Sequence, residues 1–429
     1  MRVLVVGGGG REHAIVWSLE KSPRVSKLYC APGNAGIAKI AECVNLQATD
    51  VDGMVSFARE NAVDFVVVSP DDPLALGMVD ALDAAGIRAF GPRKDAARIE
   101  SSKVFSKDLM KKYGIPTAKY AVFSNAVEAK AYIHTSETPL VVKADGLALG
   151  KGVVVAMDEE AAFEAIDAML LDRKFGDSGN HVIVEECMTG PEVTVLAFTD
   201  GKTIVPMLSS QDHKRAYTGN HGPNTGGMGA FCPSPLYTQE VADLCELTII
   251  RPTFDALKKE GCPFKGVIYF GLMLTARGPR VIEYNARFGD PEAQAVLTML
   301  ETDLLDILEA VVDERLDEID IKWRDGYSCC VVMASGGYPG RFEKGLQITG
   351  LGDVPDNVTI FHAGTAVPYG TPDMDWAFQT NGGRVMGVTA LGDTLEQAAN
   401  RAYDGVGCIH YDNMYFRTDI GRAPAGPNE

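Results

Sequence analysis

Three polar residues alternate along one predicted strand in the second half of the chain. In segment 281–287, the period-2 geometry of a strand places Glu283, Asn285 and Arg287 on one face. Carboxylate and amide oxygens suit Mg²⁺, and a guanidinium offers a planar fork to a carboxylate or phosphoryl group. A polar face that only meets solvent is the simpler alternative, but it does not explain the acidic turn 288–292 that follows. The pattern therefore predicts a magnesium site beside an anion-binding arginine.

A glycine-rich turn between two short apolar strands supplies a second candidate for anion binding. Residues 140–142 and Val153–Ala156 are predicted strands, and Lys143 lies where the first strand enters the turn 146–152. Glycines lack a Cβ, so the backbone N–H groups of such a turn can approach a polyphosphate closely. The pattern is not a Walker P-loop, because Lys151 is followed by glycine and a strand. Taken alone, a surface hairpin with solvated lysines is an equally good interpretation.

The start of the chain predicts a doubly wound α/β unit. Apolar residues 3–6 run into Gly7–Gly10 and then into a helix, whose free N–H groups would suit an anion. A dinucleotide site is disfavoured because Glu12 occupies the third glycine position and the next strand, 27–31, has no acid for a ribose. Further turns at 32–36, 69–73 and 91–92 should cluster at the carboxyl edge of a parallel sheet, although each is also ordinary turn chemistry.

Size and composition indicate an ordinary soluble protein of about three domains. The chain has 429 residues, of which 46% are hydrophobic and 23% charged. A net charge of -18 argues against nucleic-acid or anionic-membrane partners. No apolar run is long enough for a membrane span or a signal peptide, so we expect a cytoplasmic location. Nine scattered cysteines without C-x-x-C suggest buried thiols, and the absence of heptads favours a monomer.

The remaining segments fall into three stretches. A helix should begin near residues 101–102 and end at Gly114, and Lys103 in its first turn should have an anionic partner because cations are disfavoured there. Residues 120–210 alternate strands and helices and predict a compact α+β lid, and the polar, glycine-rich passage 211–229 is typical of a binding loop. After Asp325 the chain has short strands and one helix, in which His362 is most simply structural.

Several of these segments together resemble one family, the ATP-grasp ligases, and within it the branch that joins glycine to 5-phosphoribosylamine in de novo purine synthesis. The matching segments, spread over residues 7–365, are GGGGREHA, APGNAG, SKVFSKDLM, VVKADGLALGKGV, VIVEE, QDHKR, GPNTGGMGA, YNARFGDPEAQ, ASGGYPG and FHAGT. This coverage is far more specific than any single motif.

The resemblance implies a multidomain α/β and α+β fold. We expect an N-terminal doubly wound α/β substrate-binding domain at 1–100 and an ATP-grasp domain at 101–325 with a lid at about 120–189. A small C-terminal α+β domain would follow at 326–429. The implied cofactors are ATP and Mg²⁺, with Mn²⁺ as an alternative, and the partners are the small molecules glycine and phosphoribosylamine. The implied reaction forms glycyl phosphate and ADP, after which the amine displaces phosphate to give glycinamide ribonucleotide.

The resemblance also assigns roles to matching positions. Residues expected to bind ATP are Lys103, Lys143, Gly146, Gly150, Lys151, Gly152, Glu185, Glu186, Cys187 and Glu192. Residues expected to bind the phosphoribosyl and glycine substrates are Gly9, Gly10, Arg11, Glu12, Asn34, Gly36, Asp72, His213, Lys214 and Arg287. The expected catalytic residues are Lys143, Arg287, Asp212 and Asp290. The expected metal ligands are Glu283 and Asn285.

The sequence departs from the family pattern at two places, and two alternative functions remain open. Asp71 and Asp72 stand where relatives usually have a glutamate-containing turn, and strand 269–275 lacks a carboxylate that many ATP-grasp enzymes use for metal. Another ATP-grasp enzyme, such as a biotin-carboxylase-like carboxylase, would share the fold and the ATP site. A catalytically silent nucleotide-binding protein would be expected to lack some of Lys143, Glu283, Asn285 and Arg287, and all four are present.

Overall fold

The structure is a computed structural model that describes residues 1–147, 152–173, 176–368 and 378–422. The predicted phosphate-loop residues Gly150 and Lys151 lie outside these ranges. Within them, the helices are all too short or too polar to span a bilayer.

The N-terminal domain is a parallel sheet of order β3-β2-β1-β4-β5, flanked by helices, as the sequence predicts. Its strands are β1 (Arg2–Gly7), β2 (Lys27–Pro32), β3 (Glu42–Cys43), β4 (Phe65–Val68) and β5 (Arg88–Phe90). Its helices, with those leading into the next domain, are α1 (Gly10–Glu20), α2 (Val51–Glu60), α3 (Asp71–Leu76), α4 (Met78–Ala84), α5 (Lys94–Ser101) and α6 (Lys103–Tyr113). The helical segment between β4 and β5 is divided into α3 and α4 because Gly77 adopts a left-handed conformation, with φ +89°.

The lid is an antiparallel sheet of order β6-β9-β7-β8. Its elements are β6 (Tyr120–Phe123), α7 (Ala126–His134), β7 (Leu140–Ala144), β8 (Val153–Ala156), α8 (Glu159–Ile166) and β9 (Val182–Glu186). The inward faces of the strands pack against α7 and α8 in a small apolar core of their own. The predicted glycine hairpin is confirmed, since β7 pairs antiparallel with β8 and Lys143 lies opposite Val153.

The central sheet has the order β11-β10-β16-β17. The strands of this part of the chain are β10 (Glu192–Asp200), β11 (Ile204–Pro206), β12 (Gln211–Asp212), β13 (Arg215–Tyr217), β14 (His221–Asn224), β15 (Gly229–Cys232), β16 (Lys265–Thr275) and β17 (Gly278–Asn285). The helices are α9 (Gln239–Cys245), α10 (Arg251–Lys259), α11 (Glu292–Val296) and α12 (Leu304–Val312). The predicted strand 281–287 corresponds to β17, which forms a hairpin with β16. The register shifts at Ile282, which interrupts strict alternation before Glu283.

The C-terminal sheet has the order β12-β15-β18-β22-β19, and β23 also pairs with β18. Its elements are β18 (Tyr327–Ser335), β19 (Val358–His362), β20 (Thr365–Ala366), β21 (Gln379–Thr380), β22 (Arg384–Gly392), α13 (Leu395–Cys408) and β23 (Met414–Tyr415). The polar passage 211–229 thus supplies β12 and the first residue of β15 to this sheet. The fold class predicted from the sequence is confirmed, but the C-terminal sheet is completed by residues far upstream of it.

Candidate active site

A cleft of about 590 Å³ lies where the lid, the central sheet and the N- and C-terminal domains meet. This volume is in the range of sites that bind cofactors and other small molecules. The sequence-predicted residues that line it are Arg11, Lys103, Lys143, Gly146, Gly152, Glu185, Glu186, Cys187, Glu192, Asp212, Lys214, Glu283, Asn285, Arg287 and Asp290. Folding therefore brings most of the predicted site into one place.

Lys103 contacts the glycine-rich turn from the first turn of α6. Its Nζ donates to the Gly146 carbonyl oxygen at 2.7 Å. The sequence predicted an anionic partner for Lys103, but no described carboxylate forms an ion pair with it; instead Asp145 Oδ1 accepts from Val104 N at 3.1 Å and offsets the helix dipole. Burial lowers the pKa of Lys103, while Glu283 acts in the opposite direction. The ammonium is thus free to meet an anionic ligand.

Two lysines share one buried carboxylate at the lid hinge. Lys143 Nζ lies 3.1 Å and Lys107 Nζ 3.0 Å from Glu185 Oε2, and Glu185 Oε1 has no partner among the described residues. Burial lowers the pKa of Lys107 to about 8, although Glu185 opposes this. Sequence reasoning missed Lys107. Its spacing of four residues from Lys103 on one helix, which places both on the same face, could have revealed it.

The chain that leaves the lid from the end of β9 carries three predicted residues, Glu186, Cys187 and Glu192. Glu186 Oε1 lies 2.9 Å from Arg280 Nη1 and accepts from Lys119 N at 3.1 Å, so its carboxylate is held within the protein. Cys187 is half-buried and lines the cleft. Glu192 begins β10, where it faces Lys214.

Glu283 is held ionised by a neighbouring lysine. Lys214 Nζ lies 3.0 Å from Glu283 Oε1 and 3.3 Å from Glu192 Oε2. Lys214, followed by Lys143 among the other causes, lowers the pKa of Glu283 to about 2. Burial would lower the pKa of Lys214, but Glu283 and Glu192 raise it well above its ordinary value. The result is a charged carboxylate that lines the cleft.

Asn285 directs one end of its amide at two acceptors, Tyr284 O and Glu100 Oε1, each 3.0 Å away. We therefore assign the nitrogen to that end, which places Oδ1 at the other end of the amide. An ionised carboxylate and an amide oxygen fit Mg²⁺, which takes few protein ligands and keeps waters and phosphate oxygens. No group of three or more His, Cys, Asp or Glu side chains among the described residues could hold a metal by itself. The donor set thus fits magnesium bound together with a phosphate-bearing ligand.

Arg287 is fixed by a glutamate that sequence reasoning did not identify. Its Nη2 lies 2.7 Å from Glu100 Oε1, Nη1 donates to Phe288 O at 3.1 Å, and Nε is buried without a partner among the described residues. Burial raises the pKa of Glu100 to about 7, although Arg287 opposes this. Burial would also raise the pKa of Asp71, but Arg287 and Arg11 outweigh it and the net shift is downward.

The inner end of the cleft contains a second group of carboxylates. Burial, followed by the nearby Glu292, raises the pKa of Asp212 well above its ordinary value, and burial also raises that of Glu292. Burial would raise the pKa of Asp290, but the nearby Arg384 and Arg11 outweigh burial and the pKa is lowered. This end of the cleft therefore contains one carboxyl with a raised pKa, Asp212, and one with a lowered pKa, Asp290.

The C-terminal domain contributes to this end, which the sequence analysis did not foresee. Arg384 Nη2 lies 3.0 Å from Asp290 Oδ2, and Nη1 donates to Asp290 O and Gly226 O, both at 2.7 Å. Tyr338 also lines the cleft, and its hydroxyl accepts from Gly226 N at 3.1 Å. No sequence signal links residues so far apart. Only the sheet that joins β15 to β18 brings them together.

Several predicted substrate-binding residues hold the turns in place instead of lining the cleft. Glu12 is buried, and its carboxylate accepts from Gly9 N at 2.7 Å and Ser69 Oγ at 2.7 Å. Asn34 Nδ2 donates to Gly8 O and His362 O at 2.9 and 2.8 Å, and its Oδ1 accepts from Gly36 N. These side chains therefore have their hydrogen-bonding capacity used internally.

The remaining predicted positions lie beside the cleft or away from it. A Cβ at Gly36 would overlap the His362 ring, so close packing requires glycine there, whereas a Cβ at Gly10 would meet the end of the Gln294 side chain at 2.4 Å. Asp72 is exposed and its neighbour Asp71 lines the cleft, because consecutive helix residues point about 100° apart. The His213 ring packs on Phe231, and burial lowers its pKa to about 4.

An antiparallel lid over an antiparallel central sheet, with lysines from the lid and from α6 facing a carboxylate–amide pair on β17, defines an ATP-grasp enzyme. Family models agree with this along nearly the whole chain. They match phosphoribosylglycinamide synthetase in its N domain over residues 1–100, its ATP-grasp (A) domain over 101–293 and its C domain over 328–423. The chain belongs to the phosphoribosylglycinamide synthetase family and is a carbon–nitrogen ligase.

Individual relatives support this assignment. The chain is 46% identical to the phosphoribosylamine–glycine ligase of Caldanaerobacter subterraneus, over 98% of this chain and 99% of the relative. It is 48% identical to that of Rhodopirellula baltica, over 97% and 96% of the two chains. The crystal structure of the Thermotoga maritima phosphoribosylamine–glycine ligase matches with a TM-score of 0.84 at 32% identity, over 98% and 100% of the chains. A biotin carboxylase domain from Hydrogenobacter thermophilus matches at TM-score 0.73 and 16% identity over 97% and 91%, which shows a shared fold.

Proposed function

We propose that the protein ligates glycine to 5-phosphoribosylamine with cleavage of ATP, giving glycinamide ribonucleotide, ADP and phosphate. The observation that carries the proposal is the full-length similarity to phosphoribosylamine–glycine ligases, combined with a cleft that holds the predicted cation, metal-ligand and carboxylate residues together. Domain boundaries near residues 100 and 325, a lid at about 120–189 and a monomeric state belong to the same proposal.

ATP would lie between the lid and the central sheet. Lys103 and Lys143 would contact its phosphates, with the turn 146–152 over them, since both ammonium groups line the cleft at the base of that turn. Glu185, Glu186 and Cys187 would meet the adenine through the backbone of the strand end, consistent with the engagement of both carboxylates by lysine or arginine. Glu192 would accept from the ribose.

The transfer itself needs no protein nucleophile. The glycine carboxylate oxygen would attack the γ-phosphorus, the bond to the ADP oxygen would break, and glycyl phosphate would form. The amine nitrogen of phosphoribosylamine would then attack the acyl carbon, expelling phosphate and losing one proton. Magnesium bound by Glu283 and Asn285, or manganese in its place, would neutralise phosphate charge. The chain's own contribution would be positioning and charge stabilisation by Lys143 and Arg287.

The inner end of the cleft would hold the two acceptor substrates. Asp212 and Asp290 would face the glycine, because both carboxyl groups line this end of the cleft. Arg11 and Asp71 would face phosphoribosylamine from the N-terminal domain, and Lys214 would neutralise charge beside Glu283. The turns that contain Gly9 and Asn34 would shape this end through their backbone.

The test is ADP release from ATP and Mg²⁺ with glycine and freshly generated phosphoribosylamine, omitting each in turn and measuring the product mass. We expect ADP release to require both substrates and the mass to be that of glycinamide ribonucleotide. Release that depends on bicarbonate would instead support a carboxylase with the same fold. Repeating the assay with Mn²⁺ tests the alternative metal.

A further inference from the structure

Glu100 lies near the end of α5, at the junction between the N-terminal domain and the rest of the chain. Glu100 is 8% exposed, and its carboxylate accepts a hydrogen bond from Ala286, the residue that follows β17. No sequence pattern marked this residue. Its environment is unusual because one carboxylate contacts three consecutive residues of another element, beginning with a predicted metal ligand.

Both oxygens of Glu100 are engaged. Oε2 accepts from Ala286 N at 2.8 Å, and Oε1 lies 2.7 Å from Arg287 Nη2 and 3.0 Å from the end of the Asn285 amide that we assign as the nitrogen. Glu100 also lines the cleft, but both of its oxygens are directed at these three neighbours. The other charged groups near it are Asp71 and Arg11 from the N-terminal domain and Lys103 from α6.

The contact with Asn285 determines which end of the amide faces away from Glu100. An amide rotated by 180° would direct Oδ1 at the Glu100 carboxylate, so that two acceptors would face each other. The carboxylate, together with the Tyr284 carbonyl oxygen, therefore favours the orientation in which the nitrogen points at these two acceptors and the oxygen points away from them. Groups that orient a metal ligand in this way usually change metal affinity 10- to 100-fold when they are removed.

We propose that Glu100 is a positioning residue that fixes the orientation of the Asn285 amide oxygen toward a divalent cation bound with the nucleotide. The proposal rests on the proposed function only in so far as Glu283 and Asn285 bind that cation. It does not require glycine or phosphoribosylamine. The alternative is that Glu100 merely ties the N-terminal domain to β17, in which case its loss would affect stability but not metal binding in particular.

The test measures ADP binding by calorimetry in excess Mg²⁺ and, separately, in EDTA, for the wild type and Glu100→Gln. Glutamine keeps the size of the side chain but replaces one acceptor with a donor. We expect the affinity for ADP to fall at least about tenfold in Mg²⁺ and to change less than about twofold in EDTA. Equal losses in both conditions, or wild-type affinity in Mg²⁺, would overturn the proposal.

A matched control comes from Glu309, another buried glutamate, which pairs with Arg24 and Arg88 and does not line the cleft. Glu309→Gln should leave the Mg²⁺ dependence of ADP binding unchanged. Glu100→Asp, which keeps the charge but shortens the side chain by one methylene, should lose Mg²⁺-dependent affinity, and full affinity in this variant would show that charge alone suffices and refute positioning.

A double variant tests whether Glu100 affects ADP affinity through Asn285 or independently of it. If Glu100 acts by orienting the amide, then Glu100→Gln combined with Asn285→Ala should bind ADP in Mg²⁺ no more weakly than Asn285→Ala alone. Losses that multiply would mean that the two residues contribute independently, which contradicts the proposal. These measurements use no acceptor substrate, so they remain decisive even if the ligation assay fails.

Discussion

Replacing Lys107 with methionine removes one of two lysines that share the Glu185 carboxylate. The side chains of Lys107 and Glu185 are each 3% exposed, and Lys143 contacts the same oxygen. Burial lowers the pKa of Lys107 from 10.5 to about 8, with Glu185 opposing. In the variant, Glu185 keeps Lys143 as its partner, so no unpaired carboxylate is left behind. We therefore expect Lys107→Met to be at least as stable as the wild type at pH 7.

The pH dependence of this comparison has a definite sign. Because the pKa of Lys107 is lower in the folded protein than in the unfolded chain, the folded protein binds fewer protons between about pH 8 and 10.5. The wild type therefore gains stability as pH rises through this window, and the methionine variant lacks that gain. With a Lys107 pKa of 10.5 in the unfolded chain and about 8 in the folded protein, the free energy of unfolding of the wild type rises by about 2.5 kcal/mol between pH 7 and pH 10.

Urea unfolding followed by circular dichroism at pH 7 and pH 10 measures this change, since all other titrating groups are common to both proteins. Lys111→Met is the control, because Lys111 lies on the same helix but is exposed. It should follow the pH dependence of the wild type. A stability difference between Lys107→Met and wild type that stays constant within about 0.5 kcal/mol from pH 7 to pH 10 would refute the reasoning.

Three further predictions concern the cleft. Glu283→Gln should lower kcat/KM for ADP release by about 100-fold or more while ADP binding in EDTA changes little, and near-normal turnover would argue against a metal role. Arg384→Ala, which frees the Asp290 carboxylate, should raise KM for glycine at least about tenfold with KM for ATP unchanged; an equal rise for ATP would mean a general loss of structure. Asp71→Asn should lower kcat/KM for phosphoribosylamine about tenfold, and Asp72→Asn should lower it less than about twofold. A larger loss for Asp72→Asn than for Asp71→Asn would instead support the prediction from sequence that Asp72 binds the substrate.

Local patterns were enough to predict the elements that carry the chemistry. The hairpin with Lys143 at its base, the helix α6 (Lys103–Tyr113) and the strand β17 all follow from short-range apolar alternation and from turn and capping residues. The parallel arrangement of the N-terminal sheet, but not its strand order, follows in the same way from alternating strands and helices. Full-length motif resemblance then gave the family, which the comparisons confirm.

Whether a polar side chain faces a ligand or satisfies the protein itself depends on neighbours that are distant in sequence. Glu12 and Asn34 were predicted to bind substrate, as Arg11 was, yet their oxygens accept hydrogen bonds within the turns. Asp71 replaces Asp72 in the cleft because of the direction in which α3 starts. Local composition contains no information about these choices.

The sequence by itself determined the class of fold, the family and the residue types that handle ATP and metal, because these depend on local periodicity and on motifs read in order. The tertiary structure alone decided how those residues are held. Glu100 meets Asn285 and Arg287 across more than 180 residues of chain, and Arg384 meets Asp290 across 94. The physical reason is that a buried charge must find its partner in space, and the packing of whole domains determines which partner that is.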